Sequence, residues 1–187
     1  MRVVVKIGSR VLTRANGSID ESIIDMLTEE IKRLRDEKKH HFVLVTSGAV
    51  SLGRSSRLLK DFKVKKWPDL NYDKEILKNQ IRAGYGQSEL MFFYKQAFKR
   101  NGIECAQVLA TAYDFASRKR YLSMRTVTDN YLLLGIVPIF NENDVLSAEE
   151  LGPTFNDNDH LATMVGAMID ARKLILLSGI DGFYRAG

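Results

Sequence analysis

Apolar runs and amphipathic stretches alternate along the chain. Short, mostly β-branched runs predict buried strands at residues 3–7, 42–45, 103–109, 136–140 and 174–177. Apolar positions at helical spacing predict helices at residues 23–34, 76–99, 121–134 and 161–169. Gly84 and Gly86 lie inside the second of these helices, where an interior glycine predicts close backbone packing. Residues 54–75 are polar and basic and contain Pro68, and we expect a long loop or lid there.

Strands that alternate with helices of this length are typical of right-handed βαβ crossovers. The pattern therefore predicts an α/β fold, a three-layer αβα sandwich around a mostly parallel central sheet. A chain of 187 residues, 45% hydrophobic and 27% charged, suits one domain over residues 1–187. No apolar run approaches the roughly 18 residues of a membrane span. Cys105 is the single cysteine, which favours a reducing setting, and we expect a cytoplasmic protein with no membrane partner.

The charge pattern is diffuse although the formal net charge is +5. The densest basic patches, residues 32–39 and 60–66, have no interleaved aromatic residues for base stacking apart from Phe62 and Trp67 at the edges of the second. We therefore expect no nucleic-acid partner. A modest positive field also suits an enzyme for anionic substrates.

Polar residues follow the predicted strands at their carboxyl ends, where ligands sit in open parallel sheets. These candidate positions are Lys6, Gly8 and Ser9; Ser47, Gly48 and Ala49; the segments NEND at 141–144 and NDND at 156–159; and Ser178 and Gly179. The sequence therefore predicts one polar rim along this edge of the sheet.

Each group has a functional and an ordinary interpretation. Lys6 lies in a β-branched run, where it either faces an anion or is an edge lysine reaching solvent. Ser47 and the amides after it form either an anion site or a plain helix cap. The NEND and NDND segments would hold an ammonium group, a metal or both, or they are solvated turns. Nucleotide fingerprints of the G-x-G-x-x-G and G-x-x-x-x-G-K-[ST] types do not occur.

Six segments, taken in order, resemble the successive motifs of the amino-acid kinase superfamily, and within it those of the glutamate 5-kinases. They are KIGSRVLT, VLVTSGAVSLG, GYGQSELM, PIFNENDVLS, NDNDHLA and LLSGIDGFY. The resemblance implies transfer of the γ-phosphoryl group of ATP to the side-chain carboxylate of L-glutamate, with Mg²⁺, as the first step of proline biosynthesis. It also implies a homo-oligomer and makes proline a candidate feedback inhibitor, and it leaves the metal ligands unknown.

The resemblance also implies roles for single residues. Lys6 would stabilise the transferring phosphoryl group, and Asp159 would orient this lysine. Glutamate would be bound by Ser47, Gly48, Ala49, Asn141, Asp144 and Asn158. The nucleotide would lie at Lys6, Gly8, Ser9, Ser178 and Gly179. A glutamate carboxylate has a pKa near 4.3 and is already ionised at neutral pH, so the reaction requires no general base.

The chain departs from the family pattern in two places. Gly179 stands where the motif usually has an aspartate, and the sequence ends at Gly187, early in the family's nucleotide site. We therefore expect a truncated kinase domain, consisting of the glutamate lobe and the start of the nucleotide lobe, with weak or no activity alone. Two alternatives stay open: a superfamily member with another small carboxylate or phosphate as acceptor, and a non-catalytic amino-acid-binding module.

Overall fold

A five-stranded sheet forms the centre of the computed structural model, which describes residues 1–65, 73–146 and 158–179. Its strands are β1 (Arg2–Ile7), β2 (His41–Val45), β3 (Cys105–Ala110), β4 (Val137–Glu142) and β5 (Lys173–Leu177). They lie in the order β3-β4-β2-β1-β5, and each neighbouring pair is parallel. The parallel sheet expected from the sequence is therefore confirmed, with β1 between β2 and β5.

Seven helices connect these strands within the described residues. They are α1 (Ser9–Leu12), α2 (Glu21–Lys38), α3 (Ala49–Ser55), α4 (Lys74–Arg100), α5 (Ala112–Ala116), α6 (Arg118–Leu133) and α7 (Asn158–Met168). The pattern does not predict α1 and α5, because four or five residues are too few to show a helical period. Among the described helices, none combines the length and the apolar character that a membrane crossing requires.

Two apolar cores lie on opposite faces of the sheet. Alternate side chains of a strand point to opposite faces, so Val3, Val5 and Ile7 pack with residues of α2 and α4, whereas Val4 packs with residues of α6 and α7. Val4 and Ile7 have no exposed surface. Helices therefore cover both faces, which confirms the three-layer αβα arrangement.

Helices α3 and α4 touch backbone to backbone through two glycines. A Cβ atom on Gly86 would lie 1.9 Å from the carbonyl oxygen of Ala49, and one on Gly53 would lie 2.0 Å from that of Arg82. Any side chain at either position would force the helices apart. The close packing expected at Gly86 is therefore present, and it holds the first turn of α3 against the middle of α4. Gly84 instead makes room for the side chain of Val145, 3.1 Å from its ideal Cβ position.

Candidate active site

Lys6 and Asp159 form an ion pair at the carboxyl end of the sheet. Lys6 is near the end of the interior strand β1, and its side chain is only 11% exposed. It points to the same face as Val4, towards α7, and its Nζ lies 2.6 Å from Oδ1 of Asp159 in the first turn of that helix. A charge this deeply buried requires an opposite charge or a ligand. Lys6 is thus an inward-facing cation with one carboxylate beside it.

Three side-chain amides beside this pair are joined in one network, made of Gln87, Asn141 and Asn158. Nδ2 of Asn158 donates to the carbonyl oxygen of Thr46 at 2.8 Å, to Oγ of Ser47 at 2.6 Å and to Oδ1 of Asn141 at 3.2 Å. Nδ2 of Asn141 in turn donates to Oε1 of Gln87 at 2.7 Å. Ser47, Asn141 and Asn158, far apart in sequence, therefore meet at the end of the sheet as the sequence predicts.

Backbone groups determine which way the amides of this network face. The N–H of Glu142 can only donate, and it lies 2.9 Å from Oδ1 of Asn141; the carbonyl of Thr46 can only accept. Two polar atoms are then left at the ends of the network, Oδ1 of Asn158 and Nε2 of Gln87. Both are buried and have no hydrogen-bond partner among the described residues. Buried polar atoms in this state are uncommon and mark places where a ligand or water binds.

Gln87 lines a cavity of about 300 Å³ between α4 and the end of β4, which we call the α4–β4 cavity. Glu142 and Asp144 line the same cavity. Burial, together with the charge of Glu142, raises the pKa of Asp144 to about 6. A carboxylate whose ionised form is disfavoured in this way would gain from a cation brought by a ligand. The geometry therefore fits an ammonium group near Asp144.

Gly48 and Ala49 form the turn from β2 into α3. Gly48 has a φ of 103°, in the left-handed region that side chains disfavour, and it precedes the first residue of the helix. Ala49 is buried, with its carbonyl against Gly86. This turn places Ser47 within hydrogen-bond distance of Asn158. Binding of a substrate by its amides stays a prediction.

The residues predicted to contact a nucleotide lie on the other side of Lys6, where β1 and β5 end. The N–H of Gly8 donates to the carbonyl of Leu177 at 3.0 Å, so it is engaged within the sheet, and α1 begins at the next residue, Ser9. A Cβ atom on Gly8 would make an ordinary contact with Nζ of Lys6 at 3.7 Å, so this residue lies directly beside the lysine. Ser178 and Gly179 follow β5 and are exposed. This arrangement fits a phosphate group approaching Lys6.

The described part of the chain contains no cluster of three or more His, Cys, Asp or Glu side chains that could hold a metal ion such as magnesium. Magnesium in phosphoryl-transfer sites is commonly held by one or two carboxylates together with substrate phosphates. Such an ion would depend on the nucleotide for much of its coordination. Part of the predicted site lies outside the described residues, namely Asn156, Asp157 and the residues after Gly179.

The sequence assigns no role to two side chains that shape the site, although one of them, Gln87, lies in the GYGQSELM motif. Gln87 is inside α4 and is only 8% exposed, and Tyr94 on the same helix is completely buried. Oη of Tyr94 lies 2.9 Å from Oγ1 of Thr46, next to the carbonyl that orients Asn158. The available signal is a glutamine on the apolar face of an amphipathic helix, at the spacing of Ala83 and Leu90. Such a residue requires a polar partner or a ligand.

Comparisons with known proteins agree with this architecture. A glutamate 5-kinase of Pelobacter propionicus is 39% identical over 185 residues, and one of Chlorobaculum tepidum is 39% identical over 183 residues. These alignments cover 99% and 98% of this chain but 46% and 47% of the relatives, so the chain spans about half the length of the curated relatives it matches.

A crystal structure of UMP kinase from Ureaplasma parvum superposes with a TM-score of 0.59 at 18% identity, covering 98% of this chain and 71% of that one. At this identity the superposition shows a shared fold. The model of the amino acid kinase family matches residues 1–187. Because this match takes in every strand and helix that carries the site, the chain belongs to the amino acid kinase family.

Proposed function

We propose that the protein takes part in transfer of the γ-phosphoryl group of ATP to the side-chain carboxylate of L-glutamate, which gives L-glutamyl 5-phosphate. The observation that carries the proposal is the ion pair of the buried Lys6 with the partly exposed Asp159, next to the amide network. One side of Lys6 faces Gly8 and the ends of β1 and β5, where the phosphate would lie, and the other side faces polar groups suited to an amino acid. Relatives at 39% identity that are glutamate 5-kinases support the choice of acceptor.

The acceptor amino acid is bound through both of its charged groups, the ammonium group by hydrogen-bond acceptors and a carboxylate by a donor. Its ammonium group pairs with Asp144 and donates to Oδ1 of Asn158, the acceptor that is unpartnered within the described residues. The hydroxyl of Ser47, fixed by Asn158, is available to a carboxylate. With its head group held in this way, the amino acid extends its side-chain carboxylate towards Lys6.

The chemical step forms a bond between the carboxylate oxygen and the γ-phosphorus and breaks the bond from that phosphorus to the ADP oxygen. The carboxylate is ionised, so no proton has to be removed. ATP supplies the phosphoryl group, and a magnesium ion bound with its phosphates would reduce the charge repulsion between the reactants. Lys6 stabilises the negative charge that develops between them, and Asp159 holds Lys6 in place. Catalysis therefore rests on alignment and charge neutralisation.

The test is glutamate-dependent ADP release by the complete gene product, with Lys6→Met compared with the control Lys63→Met at an exposed position. Loss of one well-placed charge in such a site costs about 10²–10³-fold in kcat. We expect that loss in Lys6→Met, with glutamate affinity within a few fold of the unchanged protein and no effect of the control.

A panel of acceptors tests the alternatives to glutamate. L-aspartate, N-acetyl-L-glutamate and UMP replace glutamate in the same assay, and calorimetry measures amino-acid and nucleotide binding separately. Turnover with UMP but not with glutamate would overturn the proposal in favour of a different acceptor. Binding of an amino acid without any binding of nucleotide would favour a non-catalytic module.

A further inference from the structure

The side chain of Gln87 ends in a buried donor that the proposed chemistry leaves unused. Gln87 lies on the face of α4 that also carries the buried Ala83 and Leu90, and it is 8% exposed. Its Nε2 has no partner among residues 1–65, 73–146 and 158–179. A buried amide that gives up its hydration without a hydrogen bond destabilises the folded protein. The position of this donor at the α4–β4 cavity indicates that its partner is a ligand.

The open end of Gln87 is a donor because the rest of the network allows no other orientation. Asn141 accepts from the backbone N–H of Glu142, so the opposite end of its amide is the NH₂ group. That NH₂ group donates to Gln87 at 2.7 Å, which requires the carbonyl oxygen of Gln87 there. Rotating the Gln87 amide would place two NH₂ groups against each other. A ligand must therefore present an acceptor to Nε2.

The charges of the cavity determine which acceptor fits. Glu142 and Asp144 line the cavity together with Gln87, so an isolated carboxylate would be repelled there. An ammonium group alone would pair with Asp144 but would leave Nε2 unsatisfied. The head group of an α-amino acid carries an ammonium group and a carboxylate on one carbon, so it satisfies both at once.

We propose that Gln87 is a substrate-binding residue that donates from Nε2 to the α-carboxylate of the amino acid. A hydrogen bond to an ionised carboxylate is charge-assisted and stronger than one to the neutral carbonyl of an α-amide, so Gln87 favours the α-carboxylate. The inference rests on the proposed function and adds to it a residue that binds the α-carboxylate of the amino acid. Oε1 of the same side chain orients Asn141 and, through it, Asn158. One glutamine therefore couples recognition of the head group to the amides beside Lys6.

The substitution Gln87→Glu tests the inference because it removes the donor that faces the ligand and places a negative charge there. It keeps an oxygen to accept from Asn141 and replaces the NH₂ donor by a carboxylate oxygen. L-Glutamate and its α-amide, L-isoglutamine, are compared as acceptors with the complete gene product and as ligands by calorimetry. A hydrogen bond to a charged group is lost for glutamate, so we expect its KM and Kd to rise about 10–100-fold. The amide of isoglutamine can donate to the introduced oxygen, so the preference for glutamate over isoglutamine falls at least 10-fold.

The matched control is Gln96→Glu, the same change at an exposed position of the same helix. We expect it to leave the glutamate to isoglutamine preference within about twofold of that of the unchanged protein. An equal loss for both ligands in Gln87→Glu would show a purely structural role and overturn the inference. The inference would also be overturned if Gln87→Glu and Gln96→Glu showed the same preference for glutamate over isoglutamine.

A second variant, Gln87→Met, avoids a buried charge and removes both hydrogen bonds. We expect it to weaken glutamate binding at least 10-fold with a folded circular-dichroism spectrum, and glutamate binding as tight as that of the unchanged protein would contradict the inference. If the unchanged gene product binds glutamate but releases no ADP with it, the proposed reaction fails, while the binding comparison still decides the role of Gln87.

Discussion

Asp144 offers a test in which a single substitution should raise stability and lower ligand binding. Burial in the α4–β4 cavity and the charge of Glu142 raise the pKa of Asp144 from its ordinary value of 3.8 to about 6. The folded protein therefore disfavours the ionised carboxylate that exists at neutral pH. Asp144→Asn removes the ionisable group while preserving its size, so it should relieve this cost.

The size of the effect follows from the two pKa values. A difference of about two pH units corresponds to about 3 kcal/mol when the group is fully ionised in both states. Asp144 is only partly buried, so we expect Asp144→Asn to increase the free energy of unfolding by about 1–3 kcal/mol at pH 8. Between pH 3.8 and 6 the folded state binds more protons than the unfolded state, so the protein with Asp144 loses stability as the pH rises through this window. Near pH 4 the stabilisation by Asp144→Asn should therefore fall to under about 0.5 kcal/mol.

Urea unfolding, followed by circular dichroism, measures the free energy of unfolding of both proteins at pH 4 and at pH 8. Asp61→Asn, at an exposed position, is the control and should change the free energy of unfolding by less than about 0.5 kcal/mol at either pH. Calorimetry with L-glutamate should show weaker binding by Asp144→Asn. A variant that is less stable at pH 8, or equally stabilised at pH 4 and pH 8, would refute the reasoning that the ionised carboxylate is held for a cationic ligand.

Two further predictions concern the same site. The proposed pairing of the ammonium group with ionised Asp144 predicts that the KM for glutamate falls as the pH rises from 5 to 7 and levels off above the pKa of about 6. Asp144→Asn should show little change over this range, and a flat profile in both proteins would contradict the pairing. Gly86→Ala should lower the free energy of unfolding by at least about 2 kcal/mol in urea, because its Cβ would lie 1.9 Å from the carbonyl of Ala49. Gly84→Ala is the control, since it meets only the exposed side chain of Val145, and an equal loss in the two variants would argue against the backbone contact.

The sequence predicts the layers of the fold because strands that are buried on both faces form continuous apolar runs, whereas helices bury one face at a period of 3.6 residues. The five strands and the long helices are therefore found within a few residues. The sequence pattern ends the fourth strand at residue 140, whereas β4 continues to Glu142. Asn141 is polar and still 98% buried, because the network with Gln87 and Asn158 satisfies its amide. A hydropathy pattern cannot anticipate a buried amide whose partners lie on other elements.

Lys6 shows what sequence can and cannot predict about a site. A lysine inside a β-branched run is anomalous by itself, and the resemblance to known kinases assigns Asp159 to orient it. In the structure the two side chains lie 2.6 Å apart, and the orienting role stays a prediction. Gln87 shows the opposite case. A glutamine in an amphipathic helix is ordinary, and only the orientation of Asn141 reveals that its donor is open. That information depends on three elements meeting at one edge of the sheet.

The spacing between the two halves of the site is determined by contact of backbone with backbone. Ser47 precedes α3 and Gln87 lies on α4, and these helices touch where Gly86 meets the carbonyl of Ala49. Side chains at an interface can adjust by changing rotamers, but two backbones in contact have no such freedom. The distance from the turn that carries Ser47 to the amide of Gln87 is therefore fixed by glycine rather than by packing of larger side chains. Gly86, the residue next to Gln87, makes this contact. A change that separates α3 from α4 should therefore first weaken the proposed binding of the amino-acid head group. The Lys6–Asp159 pair should be less affected, because it lies on β1 and α7.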